Sequence, residues 1–226
     1  DVESVKIKKQ YKNIDVLVEV NDSEVIVIED KVKTSSHSNQ LEIKRSKNES
    51  EERYDTMKVL KVLDSGGYTQ QMPLIYTQTV RAVIIRDGKM VMQRSKSGEY
   101  KIPGGGLEGQ EDRLDALYRE VMEEAGMEID HNSVREIGEM IEFRADKFDS
   151  SKKFERHTYY YFCDITDRRY PLQLTESEKE LGFECVWETL ENIYEVNKEK
   201  CKSPCSIRDT LFIKMMLDGQ IILSEK

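Results

Sequence analysis

Residues 104–127 read GGGLEGQEDRLDALYREVMEEAGM, a glycine run that leads into a stretch of helical periodicity crowded with acids. Leu114, Leu117, Val121 and Ala125 step by three or four, which predicts an amphipathic helix over 111–126 with one apolar stripe turned to a sheet. Gly126 is a natural stop. Glu120, Glu123 and Glu124 lie three and four apart, so their carboxylates leave one face of that helix as neighbours. Like charges at that spacing repel by a few tenths of a kcal/mol per pair. A divalent cation is the economical offset, because Mg²⁺ is usually held by a couple of carboxylates together with waters and substrate phosphates. Arg119 offers a further offset by pairing with Glu123 across one turn or by reaching back to Glu111. The preceding Gly104, Gly105, Gly106 and Gly109 permit close approach of the main chain to a ligand or metal, and Pro103 stiffens the strand end.

The rest of the chain reads as strands and helices around this element. Thr79–Arg86 and Lys89–Ser95, joined by Asp87-Gly88, carry a β-hairpin signal. Tyr100–Gly106 begins as a short strand, and further strands are expected over 134–143, 158–165 and 183–187. Two late helices are expected near 188–200 and 206–217. Before these, "IDVLVEV" (14–20) and "VIVIED" (25–30) read as two strands joined by Asn21-Asp22-Ser23. The polar run 46–56 places a boundary between an amino-terminal segment, 1–56, and an α/β unit, 57–226. The chain begins with Asp1 rather than Met, as a fragment or trimmed product would, and Met57 is suited to be the start of the second unit.

Composition narrows the function classes. A formal net charge of −9 gives no long-range attraction to a nucleic-acid backbone, which argues against a general nucleic-acid coat protein. It leaves room for a small anionic nucleotide whose charge a metal masks. No apolar run approaches the ~18 residues of a membrane span, and a cytoplasmic setting is expected. Cys163 and Cys185 sit in apolar strand contexts as free thiols, and Cys201 and Cys205 lack the second ligand pair of a zinc site.

The box from Gly105 to Met127 resembles that of the Nudix hydrolases: Gly105, Glu111, Arg119, Glu120, Val121, Glu123, Glu124, Gly126 and Met127 all fall where that pattern requires them. Seven fixed positions match by chance on the order of 10⁻⁹ per starting point at average residue usage. The resemblance implies an α/β/α sandwich around a mixed sheet and hydrolysis of a nucleoside diphosphate linked to another group. It implies Mg²⁺, or Mn²⁺, held by Glu120, Glu123, Glu124 and the carbonyl of Gly104 or Gly105, with Glu111 and Arg119 orienting helix and loop. In many members of the family the base lies on a later loop, where Glu176, Glu178 and Glu180 stand; Glu178 is the choice among them. Arg81, Arg94, Arg144 and Lys152 are candidates for phosphate contacts. Tyr100, Phe143, Tyr159 and Tyr161 are candidates for stacking on a base. A homodimer is a family expectation.

A second resemblance covers the amino-terminal segment. "IDVLVEVNDSEVIVIEDKVKTSSHSNQL" is similar to the centre of a PD-(D/E)xK nuclease, with Asp15 on one strand, Glu29 and Lys31 on the next, and Gln40-Leu41 where a helix often follows. About 50 residues are too few for that nuclease core, which implies a truncated relic or half of a fusion. His37 is read as a loop residue.

Overall fold

The computed structural model describes residues 57–201 and 204–221, with the side chains of 204 and 205 excepted, and the backbone of four amino-terminal strands. Those strands are β1 (Val5–Tyr11), β2 (Ile14–Val20), β3 (Glu24–Ile28) and β4 (Ile43–Arg45), and they form an antiparallel sheet in the order β1-β2-β3-β4. β2 and β3 pair from Val16↔Ile28 to Val20↔Glu24, the hairpin expected from their β-branched runs. The turn 21–23, Glu29, Lys31, His37, Gln40, Leu41, the run 46–56 and the Cys205 side chain lie outside the described residues. The chain divides into two compact units, Asp1–Thr56 and Met57–Lys226.

In the second unit the strands are β5 (Val59–Asp64), β6 (Leu74–Val83), β7 (Ile85–Arg86), β8 (Lys89–Arg94), β9 (Tyr100–Lys101), β10 (Met127–Ile129), β11 (Arg135–Ala145), β12 (Lys153–Phe162), β13 (Ile165–Arg169) and β14 (Glu184–Glu188). The helices are α1 (Arg113–Ala125), α2 (Glu176–Leu181), α3 (Leu190–Lys200) and α4 (Pro204–Leu217). One sheet runs β5-β11-β12-β6 and is mixed: β11 and β12 are antiparallel, while β5 joins β11 and β6 joins β12 in parallel. A second sheet runs β14-β8-β7, with β9 against β8, and β10 pairs β13 separately.

Alternation along the strands sends side chains to two cores. Val80, Ala82, Ile84, Val91, Tyr159 and Tyr161 pack with Ala116, Leu117 and Val121 of α1. Val83, Met90, Met92, Met140 and Tyr160 pack on the other side with Ile193 of α3 and with Phe212 and Ile213 of α4. Helices therefore cover both faces of the sheet system, and the fold is a mixed α/β sandwich of three layers.

Local chemistry sets the boundaries. Asp87 (φ 51°) and Gly88 (φ 73°) are both left-handed, the backbone of a two-residue hairpin turn. α1 starts at Asp112, whose carboxylate accepts from the Leu114 N–H, and stops at Gly126 in the left-handed region. Several features exceed the sequence expectation. β5, β10 and β13 were not expected, β6 and β12 each begin five residues earlier than expected, and the stretch around Glu178 is a short helix rather than a loop. The last forms because Thr175 and Glu178 make a reciprocal capping box. Among the described residues no helix is long and apolar enough to cross a membrane.

Candidate active site

The glycine loop runs antiparallel alongside β6. The Val80 N–H donates to the Gly105 carbonyl (2.9 Å), the Ala82 N–H to Pro103 (2.9 Å) and the Leu107 N–H to Gln78 (3.1 Å). Two glycines are required there for different reasons. Gly104 has φ 134°, and a Cβ on it would strike the Val80 carbonyl; a Cβ on Gly105 would strike the Glu120 carboxylate. The loop thus lies directly on the acidic face of α1.

The crowding of acids on that face is offset within the protein, and Arg119 does most of it. Its guanidinium donates to both oxygens of Glu111 (2.9 Å each), to Glu120 (2.9 Å), to Glu123 (3.3 Å) and to the Gly106 carbonyl (3.1 Å). Both pairings anticipated for Arg119 are present together. The hydrogen bond from Arg119 holds the Glu111 carboxyl below its ordinary range. Burial pushes Glu120 up, against the pull of Arg119.

Glu124 is buried, with 3% exposure. It accepts from Lys101 Nζ (2.7 Å) and from the Gly104 N–H (2.7 Å). The Gln93 amide satisfies its surroundings when its nitrogen faces the same carboxylate, at 3.1 and 3.3 Å. Burial nevertheless raises the Glu124 carboxyl to about 7. Glu178 arrives from α2 beside this pair, 3.7 Å from Lys101 Nζ, with its other oxygen held by the Thr175 N–H (2.9 Å). Burial works to raise Glu178, but its hydrogen bonds to Glu124 and Thr175 and the charge of Lys101 bring it below its ordinary value.

The donor set fits a hard divalent cation. Two carboxyls, Glu120 and Glu124, are disfavoured as anions by burial, which is the condition an added cation relieves. Glu123 adds a partly exposed carboxylate one turn from Glu120. Among the described residues no three acidic, His or Cys side chains converge on one point, and Arg119 and Lys101 pair with the carboxylates of Glu120, Glu123 and Glu124.

A cleft of about 720 Å³ is lined by this loop. Gly104, Gly105, Gly106 and Glu111 form one wall, and Tyr76, Thr77, Gln78 and Thr79 of β6 form another. Arg81, Lys101 and Arg156 bring positive charge to it. Tyr76 is 49% exposed and rests on His157, with ring centroids 5.4 Å apart. Its hydroxyl accepts from the Gln78 amide (2.7 Å), which also reaches the Tyr159 hydroxyl (3.2 Å).

The substrate candidates read from sequence are distributed differently. Arg81 lines the cleft, but its guanidinium is buried and donates to the Val80 and Gly104 carbonyls. Arg94 pairs with Glu184 (3.0 Å) on the far strand pair β8–β14, outside the cleft lining. Arg144 lies over Phe154 and pairs with Glu142 (2.8 Å), again outside the lining, and Lys152 pairs with Asp149. Tyr100, Tyr159 and Tyr161 are core residues, and Phe143 packs against Tyr68 and Lys153. The cleft residues that sequence reading missed are Tyr76, Gln78, Lys101 and Arg156. Period-two alternation along β6 and β12 was the available signal for Tyr76, Gln78 and Arg156, but which part of those strands borders a cleft is not encoded in it.

The NUDIX domain model matches residues 76–204. The chain belongs to this family. An RNA pyrophosphohydrolase of Ruthia magnifica subsp. Calyptogena magnifica is 32% identical over 73 residues, which are 32% of this chain and 37% of that protein. The chain therefore spans just over a third of that curated relative. Among solved structures, a NUDIX hydrolase from Nitrosomonas europaea is similar at 19% identity and a TM-score of 0.46, covering 67% of this chain and 98% of that one. An ADP-ribose pyrophosphatase from Streptococcus suis is similar at 14% identity and a TM-score of 0.44, covering 66% and 96%.

Proposed function

We propose that the second unit, 57–226, hydrolyses a phosphoanhydride bond in a nucleoside diphosphate linked to another group, with Mg²⁺ or Mn²⁺ held by Glu120, Glu123, Glu124 and the Gly105 carbonyl. The observation that carries the proposal is the buried Glu124 and the part-buried Glu120, packed against a glycine loop that also lines a cationic cleft. When bound, the cation supplies neutralisation of the diphosphate's negative charge.

The chain's own groups do the rest. Arg119, anchored on Glu111, fixes the orientation of Glu120 and Glu123. Lys101 and Arg156 face the phosphates from the cleft wall, and the open face of Tyr76 takes a base or sugar. Glu178, kept ionised beside Lys101, accepts the proton of the attacking water. The amino-terminal unit, 1–56, is read as a partial PD-(D/E)xK core without activity of its own.

The test is a panel of ADP-ribose, a dinucleoside polyphosphate, an oxidised nucleoside triphosphate and a 5′-triphosphorylated oligoribonucleotide with Mg²⁺. The last is included because the curated relative is an RNA pyrophosphohydrolase. Glu124→Gln is expected to abolish phosphate release and Glu29→Gln to leave it unchanged. Loss on the second substitution alone would transfer the activity to the amino-terminal unit. Wild-type binding with no product would make the protein a nucleotide-binding module instead.

A further inference from the structure

Beneath the glycine loop lies a charged cluster that the box does not contain. Asp209 sits on α4, beyond the segment that the family model matches, and has 0% exposure. Its two oxygens are divided. Oδ1 accepts from Arg208, at 3.0 and 3.2 Å. Oδ2 accepts from the Ile102 N–H (3.2 Å) and lies 3.6 Å from Arg81 Nε. Arg81 in turn donates through Nη1 to the carbonyls of Val80 and Gly104.

The loop from Ile102 to Gly104 is consequently held at four points. Glu124 takes the Gly104 N–H, Asp209 takes the Ile102 N–H, Arg81 donates to the Gly104 carbonyl and the Ala82 N–H donates to the Pro103 carbonyl. Asp209 governs two of the four, one directly and one through Arg81. α4 is itself fixed by Phe212 and Ile213, buried one turn further on, with the Phe212 ring stacked on Tyr160 at 4.0 Å.

We infer that Asp209 is a positioning residue for the hydrolytic site. It acts through Arg81 to set the glycine loop against the acids of α1, and Arg81 is a strut for the loop rather than a phosphate-binding group. The physical reasons are burial and geometry. A guanidinium at 3% exposure, with Nη1 on two main-chain carbonyls and Nε turned to Asp209, is directed into the protein rather than to a substrate. A planar fork can touch Asp209 and the Gly104 carbonyl at once, which an ammonium cannot. An Asp between two buried guanidiniums is also required to keep them there.

The inference rests on the hydrolase reading for its functional meaning, so its primary readouts need neither substrate nor turnover. Asp209→Asn, Arg81→Lys and the double variant are compared with wild type in the full chain. Amide hydrogen exchange is followed over 102–107, and Mn²⁺ affinity is followed by water-proton relaxation. Ile213→Ala, in the same helix, controls for plain loss of packing. The expectation is exchange in the loop at least 10-fold faster and Mn²⁺ bound about 10-fold more weakly in each single variant. The double variant should be no worse than either, and Ile213→Ala should change neither readout. On the panel substrate turned over fastest, kcat should fall with KM little changed.

A raised KM for Arg81→Lys, with loop exchange and Mn²⁺ affinity as in wild type, overturns the strut and restores Arg81 to the phosphates. Loop exchange in Asp209→Asn that matches Ile213→Ala also overturns it. If Asp209→Asn does not fold, Arg81→Lys decides alone on the same two readouts. Exchange is measured on the metal-free chain, so the strut stands or falls even if wild type hydrolyses nothing.

Discussion

Replacing Glu124 by Gln should stabilise the metal-free protein in alkaline buffer and do so much less in acid. The carboxyl is buried and raised from an ordinary 4.5 to about 7, chiefly by desolvation. A folded-state value above the unfolded one means that the folded chain holds the proton more tightly. The stability this provides is complete below about 4.5 and is lost as the pH rises through about 7. At ~1.4 kcal/mol per tenfold change in the acidity constant, the loss is roughly 3 kcal/mol by pH 8. Gln has no such titration, so its advantage over Glu should grow between pH 5 and pH 8 by up to that amount. For a unit of this size that corresponds to roughly 6–12 °C in Tm. Trp187, the sole tryptophan, lies in β14 of the same unit, so its fluorescence in denaturant with EDTA reads the transition. Mg²⁺ should then close most of that gap at pH 8. At a hundredfold excess over Kd it stabilises wild type by about 2.7 kcal/mol and leaves Glu124→Gln unmoved. An advantage for Gln that stays flat or shrinks from pH 5 to pH 8 would refute the reasoning.

Two other substitutions separate the neighbours of that carboxylate. Glu178→Gln keeps the capping pattern of α2, which accepts Glu or Gln, and removes only the charge beside Lys101. It should lower kcat by about 10²-fold or more with Tm little changed if Glu178 takes the water's proton, and unchanged kcat excludes the role. Tyr76→Ala removes a half-exposed ring from the cleft and should raise KM about 10-fold, as expected for ~1–3 kcal/mol of stacking, with kcat and Tm held. A substrate bound equally well by both forms would place the base elsewhere.

The relation between sequence and structure is sharpest along α1. Periodicity, the Asp112 cap and the Gly126 stop are local properties, so the helix and the shared face of Glu120, Glu123 and Glu124 follow from spacing alone. The same holds for the Asp87-Gly88 turn, whose two positive φ angles suit only a few residue types. The α/β class was equally legible, because the hydrophobic period changes from two to 3.6 along the chain. What each acid faces was not legible. Glu124 meets Lys101 from β9, and Glu178 reaches them both only because α2 folds against this corner.

Sequence by itself determined the carboxylate helix, the glycine loop before it and the strands that carry them. Tertiary structure alone decided that Arg94 and Arg144 lie outside the cleft while Lys101 and Arg156 line it. It also decided that an aspartate on the last helix reaches the loop more than a hundred residues earlier in the chain. The reason is that capping and periodicity act between residues a few positions apart, whereas burial and charge pairing depend on which surfaces meet. A strand pattern states which side chains share a face but not what covers it.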